Sequence, residues 1–101
     1  MFIVLTYVST IEQARHLVDV LLSAGRIVCA NIAAPVESHY TWKLERCQEP
    51  EIPVWMKVRE DQLQKLRQDL EERHPYEVPA ILDWPAHVNA SYREWSFGQD
   101  H

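Results

Sequence analysis

The chain has 101 residues, of which 47% are apolar and 25% charged, with a formal net charge of −5. That apolar content suits one packed domain rather than a disordered tail, and an acidic balance with interleaved basic residues argues against a nucleic-acid surface. Two glycines, Gly25 and Gly98, exclude a glycine-rich phosphate loop.

A single domain over residues 1–101 is expected. No apolar run reaches the roughly 18 residues that cross a bilayer. The opening MFIVLTYV lacks the basic flank, long apolar stretch and cleavage site of a secretory signal. These features predict no membrane insertion and a cytoplasmic address. Cys29 and Cys47 are too few for a disulfide scaffold and are expected as reduced thiols.

Residues 2–8, short and rich in β-branched and aromatic side chains, predict a strand. Ser9 with Glu12 forms a capping-box pattern, and Ile11, Ala14, Leu17, Val18, Leu21 and Leu22 follow at helical spacing. Gly25 suits a left-handed helix terminus. Residues 26–34 (RIVCANIAA) are apolar on both alternating sets, the pattern of a strand covered on both faces. Pro35 kinks the chain. Residues 36–43 (VESHYTWK) then predict a strand with Ser38, Tyr40 and Trp42 on one face and His39 and Thr41 on the other.

LERCQEPE, residues 44–51, is expected as the turn. Residues 52–59 return as a strand with Ile52, Val54, Met56 and Val58 on one side, and Pro53 predicts an edge position or bulge. Residues 60–73 predict an amphipathic helix with Leu63, Leu66 and Leu70 inward. Pro75 forbids helical geometry at His74 and ends it. Residues 78–84 predict a last strand, and Ser91 with Glu94 a capped terminal helix carrying Tyr92 and Trp95 on one side.

The order β-α-β-β-α-β plus a C-terminal helix is the α+β, ferredoxin-like split βαβ pattern. Two helices cover one face of such a sheet. Doubly apolar strands then call for another subunit on the second face, so an oligomer is expected.

Candidate ligands Cys29, Cys47, His39, His74, Glu51 and Met56 show no zinc-binding spacing. Thiol, imidazole and thioether groups nevertheless suit a transient copper site built from separate strands or subunits. Cys29 reads as a small buried hydrophobe or as a reactive thiol. Lys57 reads as a solvated lysine or as a cation beside Glu51 that grips an anion. Tyr40, Trp42 and Trp55 read as packing aromatics or as a ligand wall, and His74 as a cation at a helix terminus. No glycine-flanked serine elbow or triad spacing selects an enzyme. An RNA-recognition module shares the element order, but its basic motif is absent.

Together, Cys29-x-Asn31, Ser38-x-Tyr40-x-Trp42, Glu51, Lys57, HPYEVP at residues 74–79 and Tyr92-x-x-Trp95 resemble the CutA family of divalent-cation tolerance proteins. The resemblance runs from the first strand to Trp95. It implies a cytoplasmic homotrimer built like the PII signalling proteins, linked to tolerance of divalent metals, copper especially, with no reaction and no obligatory cofactor. It implies copper or another divalent cation as the partner, with Cys29, Glu51 and His74 as candidate metal ligands. Ser38, Tyr40, Trp42, Lys57, Tyr76, Tyr92 and Trp95 are the matching positions expected near an inter-subunit cleft. A PII-like regulatory module that binds a small anionic metabolite or a partner protein through Lys57, Tyr40 and Trp42 is the alternative. The family's glycine two residues after the tryptophan is here Leu44, its threonine after the lysine is Val58, and Pro50 and Pro53 are unusual in the returning strand.

Overall fold

The computed structural model describes residues 1–98. Strand β1 (Phe2–Val8) leads into helix α1 (Ile11–Ser23). The capping box is one residue later than the sequence suggests. Thr10, extended at φ −132°, caps the helix by accepting from the Gln13 amide at 3.1 Å. Gln13 Oε1 in turn accepts from the Ser9 and Thr10 amides, so the glutamine takes the place expected of Glu12. At the far end Gly25 adopts φ +72°. Its amide donates to the Leu22 carbonyl and that of Arg26 to Leu21, at 3.0 and 2.9 Å. This 5→2 and 6→1 pair is a Schellman closure, which needs a residue tolerant of left-handed backbone.

β2 covers only Cys29–Ile32, not residues 26–34. β3 (Val36–Trp42) and β4 (Glu45–Val58) form a hairpin whose turn is just Lys43 and Leu44. Residues 45–51, expected as turn, are paired strand from Glu45↔Trp42 to Glu51↔Val36. Both turn residues have positive φ, 48° and 69°, the geometry of a two-residue hairpin loop that matches strand twist. After a 3-10 turn (Glu60–Gln62), α2 (Leu63–Arg73) ends where Pro75 requires, with His74 extended at ψ 137°. β5 begins at Ile81 rather than residue 78 and runs to Pro85. α3 (Ala90–Phe97) is preceded by Asn89 and has no side-chain cap, so the expected Ser91–Glu94 box is not formed. Ser91 Oγ instead accepts from Asn89 Nδ2 at 2.9 Å.

The sheet runs β2-β4-β1-β5, with β3 on the outer half of β4, which is the ferredoxin-like arrangement. One face carries Val4, Val8, Val54, Met56 and Val58 against Leu17 and Leu21 of α1 and Leu66 and Leu70 of α2. The alternate set faces away from the helices and leaves Trp55, Leu82 and Trp84 exposed by 40, 48 and 39%. Trp55 and Trp84 meet edge to face at 6.1 Å. Pro53 is neither at a sheet edge nor in a bulge: it pairs with Tyr7 of β1 and accepts from the Ala33 amide on its other side. Its missing N–H would face Ala33, the residue just past the end of β2, so the proline marks where that ladder stops. The hairpin projects beyond the sheet, giving extents of 46 × 24 × 22 Å.

Candidate functional site

The hairpin register builds one wall of an open cleft of about 720 Å³. Antiparallel pairing sets Ser38 opposite Glu49 and Tyr40 opposite Cys47, and cross-strand partners share a face. Alternation along β3 adds Trp42 to that face. Tyr7 and Ser9 at the end of β1, and Tyr76, Glu77, Val78 and Ala80 after α2, form the opposite wall.

The HPYEVP segment supplies Tyr76, and a buried hydrogen-bond chain positions it. His74, only 8% exposed, accepts from the Tyr76 amide at Nδ1, 3.1 Å away. Its Nε2 lies 2.9 Å from Thr6 Oγ1, and that hydroxyl donates to the Ala80 carbonyl at 2.7 Å. The hydroxyl proton is committed to Ala80, so Nε2 carries the proton of the neutral ring and donates to Thr6. Burial lowers the His74 pKa, against a backbone hydrogen bond with Tyr7 and the charges of Glu51 and Glu71, which raise it. His74 is therefore a neutral, internally bonded staple and not the helix-terminal cation expected from its position.

The Tyr76 ring packs against His74 at 4.9 Å. Its hydroxyl donates to Glu51 Oε2 at 2.6 Å and accepts from Ser9 Oγ at 3.2 Å. Burial first, then the Glu51 carboxylate, pushes the Tyr76 pKa up to about 12, so the hydroxyl keeps its proton and holds Glu51 in place. Desolvation and Glu49 raise the Tyr40 pKa as well.

A second cluster lies on the sheet face away from the helices. Cys29 and Lys57 are register partners. Lys57 Nζ donates to Asn31 Oδ1 at 3.0 Å and stands 3.6 Å from Cys29 Sγ. Burial and then Cys29 push Tyr92 up to about 12, and Tyr92 packs on Trp95 at 5.4 Å. Lys57 is thus occupied by Asn31 and Cys29. It lies six positions along β4 from Glu51, about 20 Å at strand rise.

The expected residues fall into two groups. Ser38, Tyr40, Trp42, Glu51 and Tyr76 line the cleft, while Cys29, Lys57, Tyr92 and Trp95 belong to the second cluster. Cys29, Glu51 and His74 do not converge, and both His74 ring nitrogens already have partners. Among the described residues, no group of three or more His, Cys, Asp or Glu side chains is arranged to hold a metal ion. Sequence reasoning missed Tyr7, Ser9, Cys47, Glu49 and Glu77 as cleft residues. The period-two register of a tight hairpin would have found Cys47 and Glu49; reading residues 44–51 as a turn hid it.

Known proteins share both the sequence pattern and the fold. The sequence model described as CutA1 divalent ion tolerance protein matches residues 2–99. The divalent-cation tolerance protein CutA of Pyrococcus horikoshii is 34% identical over 96 residues, covering 94% of this chain and 93% of that protein. A crystal structure of Pyrococcus horikoshii CutA superposes with a TM-score of 0.94 at 32% identity, over 100% of both chains. The PII-like protein CutA of Nostoc sp. PCC 7120, in apo form, gives 0.84 at 35% identity, over 100% of this chain and 98% of that one.

Proposed function

The chain belongs to the CutA1 divalent ion tolerance family, and from that premise we propose that it acts as a cytoplasmic homotrimer in the response to and tolerance of divalent metal ions. Metal contact is weak and exchangeable, copper being the favoured ion, with Cys29 as the soft donor on the sheet face and Glu51 as the hard donor in the cleft. No reaction and no obligatory cofactor is assigned. The observation that carries the reading is the open, acidic cleft, in which Glu49, Glu51 and Glu77 stand among aromatic rings with no lysine or arginine on the described lining. Such a surface concentrates cations without closing a coordination shell around one.

The trimer rests on the uncovered sheet face. Trp55, Leu82 and Trp84 form an exposed apolar surface of the kind that copies of a chain bury against one another. Free thiols at Cys29 and Cys47 agree with a cytoplasmic site.

Isothermal titration with Cu(I) and Cu(II) tests the metal claim. Wild-type protein is expected to give saturable heat that Cys29→Ala reduces for Cu(I) and Glu51→Gln reduces for Cu(II). Equal heat from wild type and both variants contradicts it.

A second reading, a PII-like regulatory module with a small-molecule ligand in the cleft, is favoured by the cleft's size. A volume of about 720 Å³ far exceeds a bare ion and falls in the usual range for small-molecule sites, roughly 300–1,000 Å³. Fluorescence of Trp42 on the cleft wall reports such binding.

A further inference from the structure

We infer that the cleft takes a small organic cation, an amine or quaternary ammonium, rather than an anionic metabolite; this rests on the reading of the cleft as a small-molecule site. Three independent features carry it.

The first is charge. Glu49, Glu51 and Glu77 contribute carboxylates to the lining, and among the described lining residues His39 is the only basic side chain. His39 Nε2 already lies 2.7 Å from Glu37 Oε1. Lys57, the cation expected to meet an anion, is turned to Asn31 and Cys29, and Lys43 in the exposed turn lies against the Trp42 ring rather than among the lining residues. An anion entering the cleft would meet like charge on both walls, while an ammonium would meet opposite charge.

The second is the aromatic wall. Tyr40 and Trp42 are 38 and 40% exposed on the hairpin face, with Tyr76 across from them. Ring faces carry partial negative charge, and aromatic rings grouped with carboxylates are the recurring solution for alkylammonium groups. The third is direct. The Trp42 ring already accepts an ammonium from its own chain, since Lys43 Nζ lies 5.7 Å from its centroid. Lys43 sits in the exposed turn, so this contact is a weak one that a ligand can outcompete.

Tyr76 sharpens the preference. Its proton is committed to Glu51 and its hydroxyl oxygen to Ser9, so it offers an incoming ligand a ring face rather than a fresh donor for an anion.

The test uses choline and its neutral isostere 3,3-dimethylbutan-1-ol, which differ only in the charge of the quaternary centre, with citrate as an anionic probe. Tryptophan fluorescence and calorimetry on the assembled protein are the readouts. Choline is expected to bind saturably and about tenfold more tightly than the isostere, the ratio a cation–π contact plus a carboxylate supports. Trp42→Leu and the double substitution Glu49→Gln, Glu51→Gln are each expected to remove that ratio. Trp42 is on the exposed hairpin, so its replacement leaves the core intact, which circular dichroism verifies.

Equal affinity for choline and the isostere overturns the inference, as does choline binding that survives both variants. Citrate binding without choline binding overturns it too, while keeping the cleft as a ligand site. If no probe binds up to millimolar concentration, the inference and the small-molecule reading of the cleft fail together.

Discussion

Thr6 is a polar residue in the middle of an otherwise apolar strand, fully buried, and its partners explain it. One hydroxyl joins His74 to the Ala80 carbonyl and thereby fastens both ends of the segment that carries Tyr76 into the cleft. The depressed His74 pKa makes this staple pH-sensitive. The unfolded chain takes up a proton near pH 6.5, whereas the folded chain resists protonation until lower pH. Its contribution is therefore complete above about pH 6.5 and falls as pH drops below that value. Melting temperature is expected to decline on going from about pH 7 to about pH 5.5, and His74→Asn, though less stable throughout, is expected to lose that part of the slope. A parallel slope in the variant contradicts the assignment. HPYEVP was legible as a helix stop, because proline acts locally. The role of His74 was not, because its partners Thr6 and Ala80 are distant or set by the fold.

At the scale of elements, termini and turns decide most. A methyl group added at Gly25 would have open space around it, so Gly25→Ala meets no clash and is expected to cost only left-handed backbone strain, about 1 kcal/mol in a urea melt. Lys43 and Leu44 hold positive φ without being glycine, and Leu44 is 98% exposed. The place where the family usually has glycine is thus one where the backbone still favours it. Leu44→Gly is expected to stabilise the protein by about 0.5–1 kcal/mol, with hairpin pairing unchanged by hydrogen exchange; destabilisation would show that the leucine side chain makes a contact that matters.

Periodicity located both long helices and the inner half of β4, where Ile52, Val54, Met56 and Val58 are all buried. It failed on residues 45–51, since Glu, Arg, Gln and Pro read as loop when only one neighbouring strand and no core face supports them. Pro53 misled for a related reason: the sequence shows a missing donor but not that the adjacent strand ends opposite it.

At the scale of the molecule, β4 and β5 leave a helix-free surface bearing Trp55, Leu82 and Trp84. Burying such side chains contributes roughly 25 cal/mol per Å², so this face is where the proposed trimer would gain its stability. The doubly apolar pattern in the sequence falls on residues 26–34, whereas the exposed apolar side chains of this face come from β4 and β5. The cleft was only half legible, since its acidic wall depends on hairpin register and its roof on the His74 staple. The most direct measurement is the mass of the protein by light scattering as it is diluted from tens of micromolar to below one micromolar. A constant mass of three chains, lost in a Trp55→Asp, Trp84→Asp variant that keeps its circular dichroism spectrum, is the expected result; a folded single chain at micromolar concentration would contradict the account.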